Sequence, residues 1–147
     1  MRYWIIVFAA LLISAGTAQA GSGNIGLVKT LKGQAAIERG GRSLPAEIGL
    51  KLMEKDVLVT GAGSSLGIIM RDNSVVSIGS FSRLELTEFI FEPADKKLNF
   101  VSKMLKGTAV YLTGIIAKLN QNSVRVETPM AVAGVRGTRF AISVKGD

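Results

Sequence analysis

From residue 26 onward the apolar positions recur with a period of two, and small clusters of Gly, Ser, Asn or Asp separate one alternating stretch from the next. Successive side chains of an extended chain point to opposite faces, so this pattern predicts half-buried strands joined by turns. Leu27, Lys29 and Leu31, then residues 35–37, lie either side of Gly33 and run into Gly40-Gly41. Two adjacent residues free to take positive φ signal a two-residue hairpin loop, so a strand pair is predicted there. Residues 57–60 lead into Gly61-Ala62-Gly63, and Leu66, Ile68 and Met70 alternate with smaller neighbours before Asp72-Asn73-Ser74 turns the chain into Val76 and Ile78. Leu84 and Leu86, then Phe89 and Phe91, alternate with polar residues until Pro93; Leu98, Phe100, Val110 and Leu112 continue the series. Val124 and Val126, and finally Phe140, Ile142 and Val144, complete it.

One stretch breaks the period. Ile115, Ile116 and Leu119 stand at helical spacing between Gly114 and Asn120-Gln121-Asn122, which predicts a short helix capping an end of the β core. The expected fold is all-β, with about ten short strands and one capping helix. Whether the strands close as a sandwich, a barrel or a solenoid is not set by periodicity.

The first twenty residues follow a different logic. Arg2 is followed by an apolar run from Ile5 to Gly16 and by Ala18-Gln19-Ala20, the small-x-small pattern read by signal peptidase, so a signal helix cleaved after Ala20 is expected. The apolar run is shorter than the ~20 residues that cross a bilayer, and no later run approaches that length, so no membrane span is expected after cleavage. The expected organisation is a signal peptide over residues 1–20 and one β domain over residues 21–147, in the periplasm or secreted. With Arg2 the only charge in the signal, the remaining chain carries 17 basic and 11 acidic residues. That excess is scattered, Lys96-Lys97 and the Lys103/Lys106 pair being the densest points, and no aromatic residues stud a basic stripe. Nucleic acid is therefore not an expected partner. Solubility is the simplest use of the charge, and attraction to an acidic envelope polymer is the alternative.

Candidate chemistry is sparse. The sequence has no Cys and no His, which removes thiolates, disulfides and imidazole-based acid–base pairs. No cofactor site is expected, and no acidic cluster has the spacing of a metal loop. Gly61-Ala62-Gly63 lacks the later glycine of a dinucleotide fingerprint, and the Gly137-Thr138 corner has no phosphate-loop lysine. Glu85, Glu88 and Glu92 could form a carboxylate pair but alternate as a solvated strand face would. Ser64, Ser65, Ser80 and Ser82 could act as nucleophiles only with a lysine base, and no companion motif accompanies them. No catalytic residues are assigned, and no enzyme activity is expected.

The most specific string is Val124-Arg-Val-Glu-Thr-Pro-Met-Ala-Val-Ala-Gly-Val-Arg-Gly-Thr-Arg-Phe140. Pro129 fixes its own φ and pushes Thr128 to an extended conformation, ending one strand. Gly134 and Gly137 bracket Val135-Arg136 and predict a tight corner. Arg136 presents five donors there; its expected role is a structural clamp, through Asp56 or Asp72, ahead of ligand contact. The string, with its Thr128, Pro129, Gly134, Arg136, Gly137, Thr138 and Phe140, resembles the closing motif of the FecR-like domain family. Ile48-Gly49, residues 56–61, Asp72-Asn73-Ser74 and Lys106-Gly107-Thr108 follow the order of that family's turns, extending the resemblance over about residues 25–145. Asp72-Asn73-Ser74 stands where the family usually has Asp-Gly-Ser, and Asn also tolerates positive φ. The resemblance implies an all-β, solenoid-like periplasmic module, known from regulators that relay receptor occupancy to a sigma factor. Those regulators place an anti-sigma segment and a transmembrane helix ahead of the domain; this sequence shows neither, so the extracytoplasmic binding half is what is expected to carry over. The expected function is a non-catalytic exported module that binds a protein or acidic polymer of the cell envelope. The alternative is a structural protein that spaces an envelope assembly.

Overall fold

The glycine- and hydroxyl-rich clusters that interrupt the alternation turn the chain through corners, and the one at Gly107 does so inside a single continuous strand. The computed structural model describes residues 23–135 and 137–146, so the expected signal helix with Ala18 and Ala20, and Arg136, lie outside the described residues. Among the described residues, twelve strands form: β1 (Gly26–Lys32), β2 (Ala35–Arg39), β3 (Arg42–Pro45), β4 (Lys51–Leu52), β5 (Val57–Thr60), β6 (Ser65–Met70), β7 (Val75–Ile78), β8 (Arg83–Glu92), β9 (Lys97–Leu112), β10 (Val124–Glu127), β11 (Val132–Gly134) and β12 (Arg139–Val144). A short helix, α1 (Ile115–Leu119), lies between β9 and β10, and 3-10 turns cover Pro93–Asp95 and Gln121–Ser123.

All twelve strands belong to one sheet. Its construction is a set of bent strands laid side by side. β1 and β2 pair in succession along β6 and β5, β5 and β6 along β8 and β7, and β7 and β8 along the two halves of β9. The chain turns a corner between β1 and β2 at Gly33-Gln34, between β5 and β6 at residues 61–64, between β7 and β8 at residues 79–82 and, inside the 16-residue β9, at Gly107. The sheet therefore curls like half a barrel, and both halves feed one hydrophobic cluster that runs from Val28 and Ile68 through Leu84, Phe100 and Tyr111 to Val126. A solenoid would stack parallel coils and a sandwich would pack two separate sheets. Here the pairing is antiparallel except for β9 with β10, and the sheet continues through the bend.

The corners also explain where the alternation expected from sequence slips by one residue. In β9 the core side runs through Phe100, Ser102 and Met104, then changes parity at Gly107 (φ 92°), so that Ala109 and Tyr111 are buried while Val110 and Leu112 face outward. In β1 the register shifts between Val28 and Thr30, and Val28 fills the core in place of Leu27. In β8 a bulge after Leu86 carries the core phase to Phe89. A bulge inserts one residue on one strand and inverts the face of everything beyond it. The Gly40-Gly41 loop forms the predicted two-residue hairpin, with φ of 55° and 78° and Arg39 opposite Arg42. Asn73 takes φ 67°, the left-handed turn predicted for it.

Candidate functional site

Among the described residues, three groups of buried polar side chains are built into turns. The first is the corner seam. Thr60 Oγ1 donates to the Gly79 carbonyl (2.6 Å) and accepts from the Ser82 amide (2.9 Å). Ser82 Oγ accepts from the Thr108 amide (3.0 Å) and lies within reach of the Ser80 and Thr108 carbonyls. Ser64 Oγ accepts from the Gln34 amide (2.9 Å). A strand that bends cannot keep its ladder bonds at the bend, and these hydroxyls replace them. The glycines make room: a Cβ on Gly107 would stand 2.1 Å from Ser82 Oγ and 2.5 Å from its Cα, and one on Gly33 would stand 2.4 Å from Ser64 Oγ. Ser64 and Ser82 are thus committed to backbone partners.

The second group is Asp72, fully buried between β6 and β7. Its carboxylate accepts from the Ser74 amide (3.0 Å), the Ser74 hydroxyl (2.8 Å) and the Ile116 amide (3.2 Å), while its carbonyl accepts from Ile115 (2.8 Å). The Asp72-Asn73-Ser74 turn therefore anchors the first turn of α1 from more than 40 residues away, satisfying amides that a helix leaves unbonded at its start. Gly114 lets the two segments meet, since a Cβ there would lie 2.2 Å from the Asp72 carbonyl oxygen.

The third is Asp56, also fully buried. Arg39 grips it through Nε (2.8 Å) and Nη2 (2.7 Å) and reaches the Lys51 carbonyl (2.9 Å), and the Met53 amide donates to the same carboxylate (2.9 Å). The contact with Asp56 raises the Arg39 pKa further, chiefly through the hydrogen bond. Asp56 is thus bound by Arg39 and Asp72 by the α1 start; the expected clamp between these carboxylates and Arg136 falls outside the described residues. Sequence reasoning missed Arg39, which stands one residue before a glycine pair that drew attention only as a turn.

The motif residues lie along one edge of β9. β10 runs parallel to Phe100, Val101, Ser102 and Lys103, and β12 runs antiparallel to residues 107–112 of the same strand. Thr128 closes the turn between β10 and β11: its hydroxyl accepts from the Ala131 amide (3.1 Å) and its own amide donates to the Ala131 carbonyl (2.8 Å). Pro129 and Met130 form the exposed tip, Met130 being 93% accessible. Gly134 pairs with Arg125 at the end of β11, and Gly137 takes φ 110°. The Thr138 carbonyl accepts from the Thr113 amide (2.9 Å), starting the β12 ladder. Phe140 stacks on Tyr111 (centroids 4.6 Å apart, planes 9° apart), and the Tyr111 hydroxyl meets Ser102 Oγ at 2.8 Å in the core. Burial pushes the Tyr111 hydroxyl well above its ordinary value.

Between the β10–β11 turn and the end of β12 lies an open groove of about 530 Å³, lined by Leu105, Lys106, Pro129, Met130, Val144 and Lys145 among others. Elsewhere the outer face pairs charges across strands. Glu38 and Arg83 form an ion pair that lowers the Glu38 pKa. Glu85 sits opposite Lys103, Lys103 opposite Glu127, and Glu92 opposite Lys97. Of the three carboxylates considered as a catalytic pair, Glu85 and Glu92 are thus placed opposite lysines, and Glu88 lies opposite Val101. Among the described residues, no three acidic side chains gather where they could hold a metal ion, and no helix is long and apolar enough to cross a membrane.

These features define a class: a corner-folded β domain whose buried polar groups hold its turns and whose recognisable motif closes one edge of its longest strand. The chain belongs to the FecR protein family, whose model matches residues 56–147. Comparison with curated proteins and with solved structures gives no match.

Proposed function

We propose that this protein is a non-catalytic exported module that binds a protein or polymer of the cell envelope in a signalling setting. Membership of the FecR family supports a signalling-related domain of the periplasm or envelope. The observation that carries the binding reading is the division of labour among polar groups. The buried hydroxyls of Ser64 and Ser82 and the buried carboxylates of Asp56 and Asp72 have their hydrogen-bonding capacity turned inward to corners and caps. The edge built by the family motif, by contrast, presents an exposed apolar turn and a groove carrying lysines. A basic surplus adds long-range attraction for acidic partners.

Affinity capture from an envelope extract under graded salt tests the reading. Discrete partners released as salt rises support it, because charge attraction is screened. Concentration-dependent homopolymers without a partner would favour the spacer alternative, and turnover of a peptidoglycan or other glycan substrate would displace both.

A further inference from the structure

We infer that the outer edge of β12 is a strand-addition site for an extended anionic polypeptide segment, with apolar side chains at alternate positions and a carboxylate at each end; this rests on the binding reading above and specifies its partner. Sheet edges offer unpaired amides and carbonyls and are normally blunted. Three edges here are. β3 ends at Pro45, β11 has three residues, and the outer side of β1 is taken by the two-residue β4 and by bonds to Gly49 and Leu50. β12 is six residues long, regular in register, free of proline, and charged only at Arg139; among the described residues it pairs with β9 alone.

The ladder phase identifies the free groups. The bond from the Thr113 amide to the Thr138 carbonyl makes that pair a hydrogen-bonded one, and the register then assigns Phe140, Ile142 and Val144 to exchange bonds with β9. The amides and carbonyls of Arg139, Ala141 and Ser143 therefore point away from the sheet. On the core side, Phe140, Ile142 and Val144 are only half-buried, although they pack against the hydrophobic cluster. A strand laid alongside with apolar residues opposite them would complete that cover.

Charge selects the partner. Arg139 is exposed at one end of the edge, and Lys145 is exposed at the other beside Lys106 in the groove. A second copy pairing antiparallel about Ile142 would set Arg139 directly opposite Lys145 of its mate, and like charges directly opposite are unfavourable. Carboxylates at the two ends of an incoming segment meet both cations in either chain direction.

The test uses a fluorescent synthetic peptide, Asp-Val-Thr-Val-Thr-Val-Glu, and a control with Lys at both ends. We expect saturable binding of the acidic peptide, weakened at least tenfold by the lysine substitutions and by 0.5 M salt, as for a contact between exposed charges. Hydrogen exchange should slow at the amides of Arg139, Ala141 and Ser143. Ala141→Pro deletes one outward donor while sparing the bonds to β9, and should reduce binding at least tenfold; Ala141→Val should retain it. No binding at millimolar peptide, protection confined to another edge, or equal binding of the two peptides would each overturn the proposal. So would a concentration-dependent dimer that Ala141→Pro dissolves. Should Ala141→Pro fail to fold, exchange in the unmodified protein decides. If an envelope partner is captured equally by unmodified and folded Ala141→Pro protein, the strand-addition site fails while the binding reading survives; loss of all capture sinks that reading first.

Discussion

Asp56 shows how one side chain fixes a local structure that no local rule requires. A carboxylate removed from water needs compensation at every oxygen, and it receives two donors from Arg39 and one from Met53. Asp56→Ala strands the Arg39 guanidinium and frees the Met53 amide, and should cost about 3 kcal/mol, the low end for a broken buried pair because Arg39 is partly exposed; chemical denaturation measures it. Gly114 is as constrained for a steric reason. Its virtual Cβ meets backbone atoms of Asp72 and Ser74 rather than a flexible tip, so Gly114→Ala should destabilise by about 2–3 kcal/mol and loosen α1, read from melting and from exchange at the Ile116 amide. Glu38 is a milder case. Arg83 holds its folded pKa below the ordinary 4.5, so the stabilisation is fully present above 4.5 and is lost as pH falls through the lowered value. Glu38→Gln should flatten the melting temperature against pH in that acidic window and leave the slope unchanged near neutrality.

At the scale of elements, the seam decides whether a bent strand or two separate strands result. Ser82 sits where β8 enters the corner and bonds the Thr108 amide across to β9. Ser82→Ala would leave that amide without its partner at a partly buried corner, and should cost about 1 kcal/mol; the measure is denaturant unfolding with an unchanged m-value. The seam was only half legible in the sequence. Gly33, residues 61–63 and Gly107 were visible as interruptions, and the hairpin at Gly40-Gly41, the Asn73 turn and the Ile115–Leu119 helix followed from local chemistry. That Ser64 and Ser82 complete the bends was not legible, because the amides they accept from are 26 or more residues away. The parity change at Gly107 was hidden for the same reason: Val110 and Leu112 continue an apolar series, and only the pairing of β9 with both β7 and β12 turns them outward.

For the whole molecule, β9 is the organiser. One strand receives β8 and β7 along one side and β10 and β12 along the other, so its ends join parts of the sheet that would otherwise have separate edges. Such pairings join residues far apart in sequence, and folding should accordingly take milliseconds to seconds, as stopped-flow fluorescence of Tyr111 would report. The period-two pattern, the turn chemistry and the absence of Cys and His determined an all-β chain with little reactive chemistry, because strand alternation and the αL tolerance of Gly and Asn are properties of neighbouring residues. The Thr128–Phe140 string likewise carried its family resemblance in the sequence. Tertiary structure alone decided which carboxylate meets which cation, where the core phase inverts, and which edge stays open, since each depends on contacts between segments that only the curled sheet brings together.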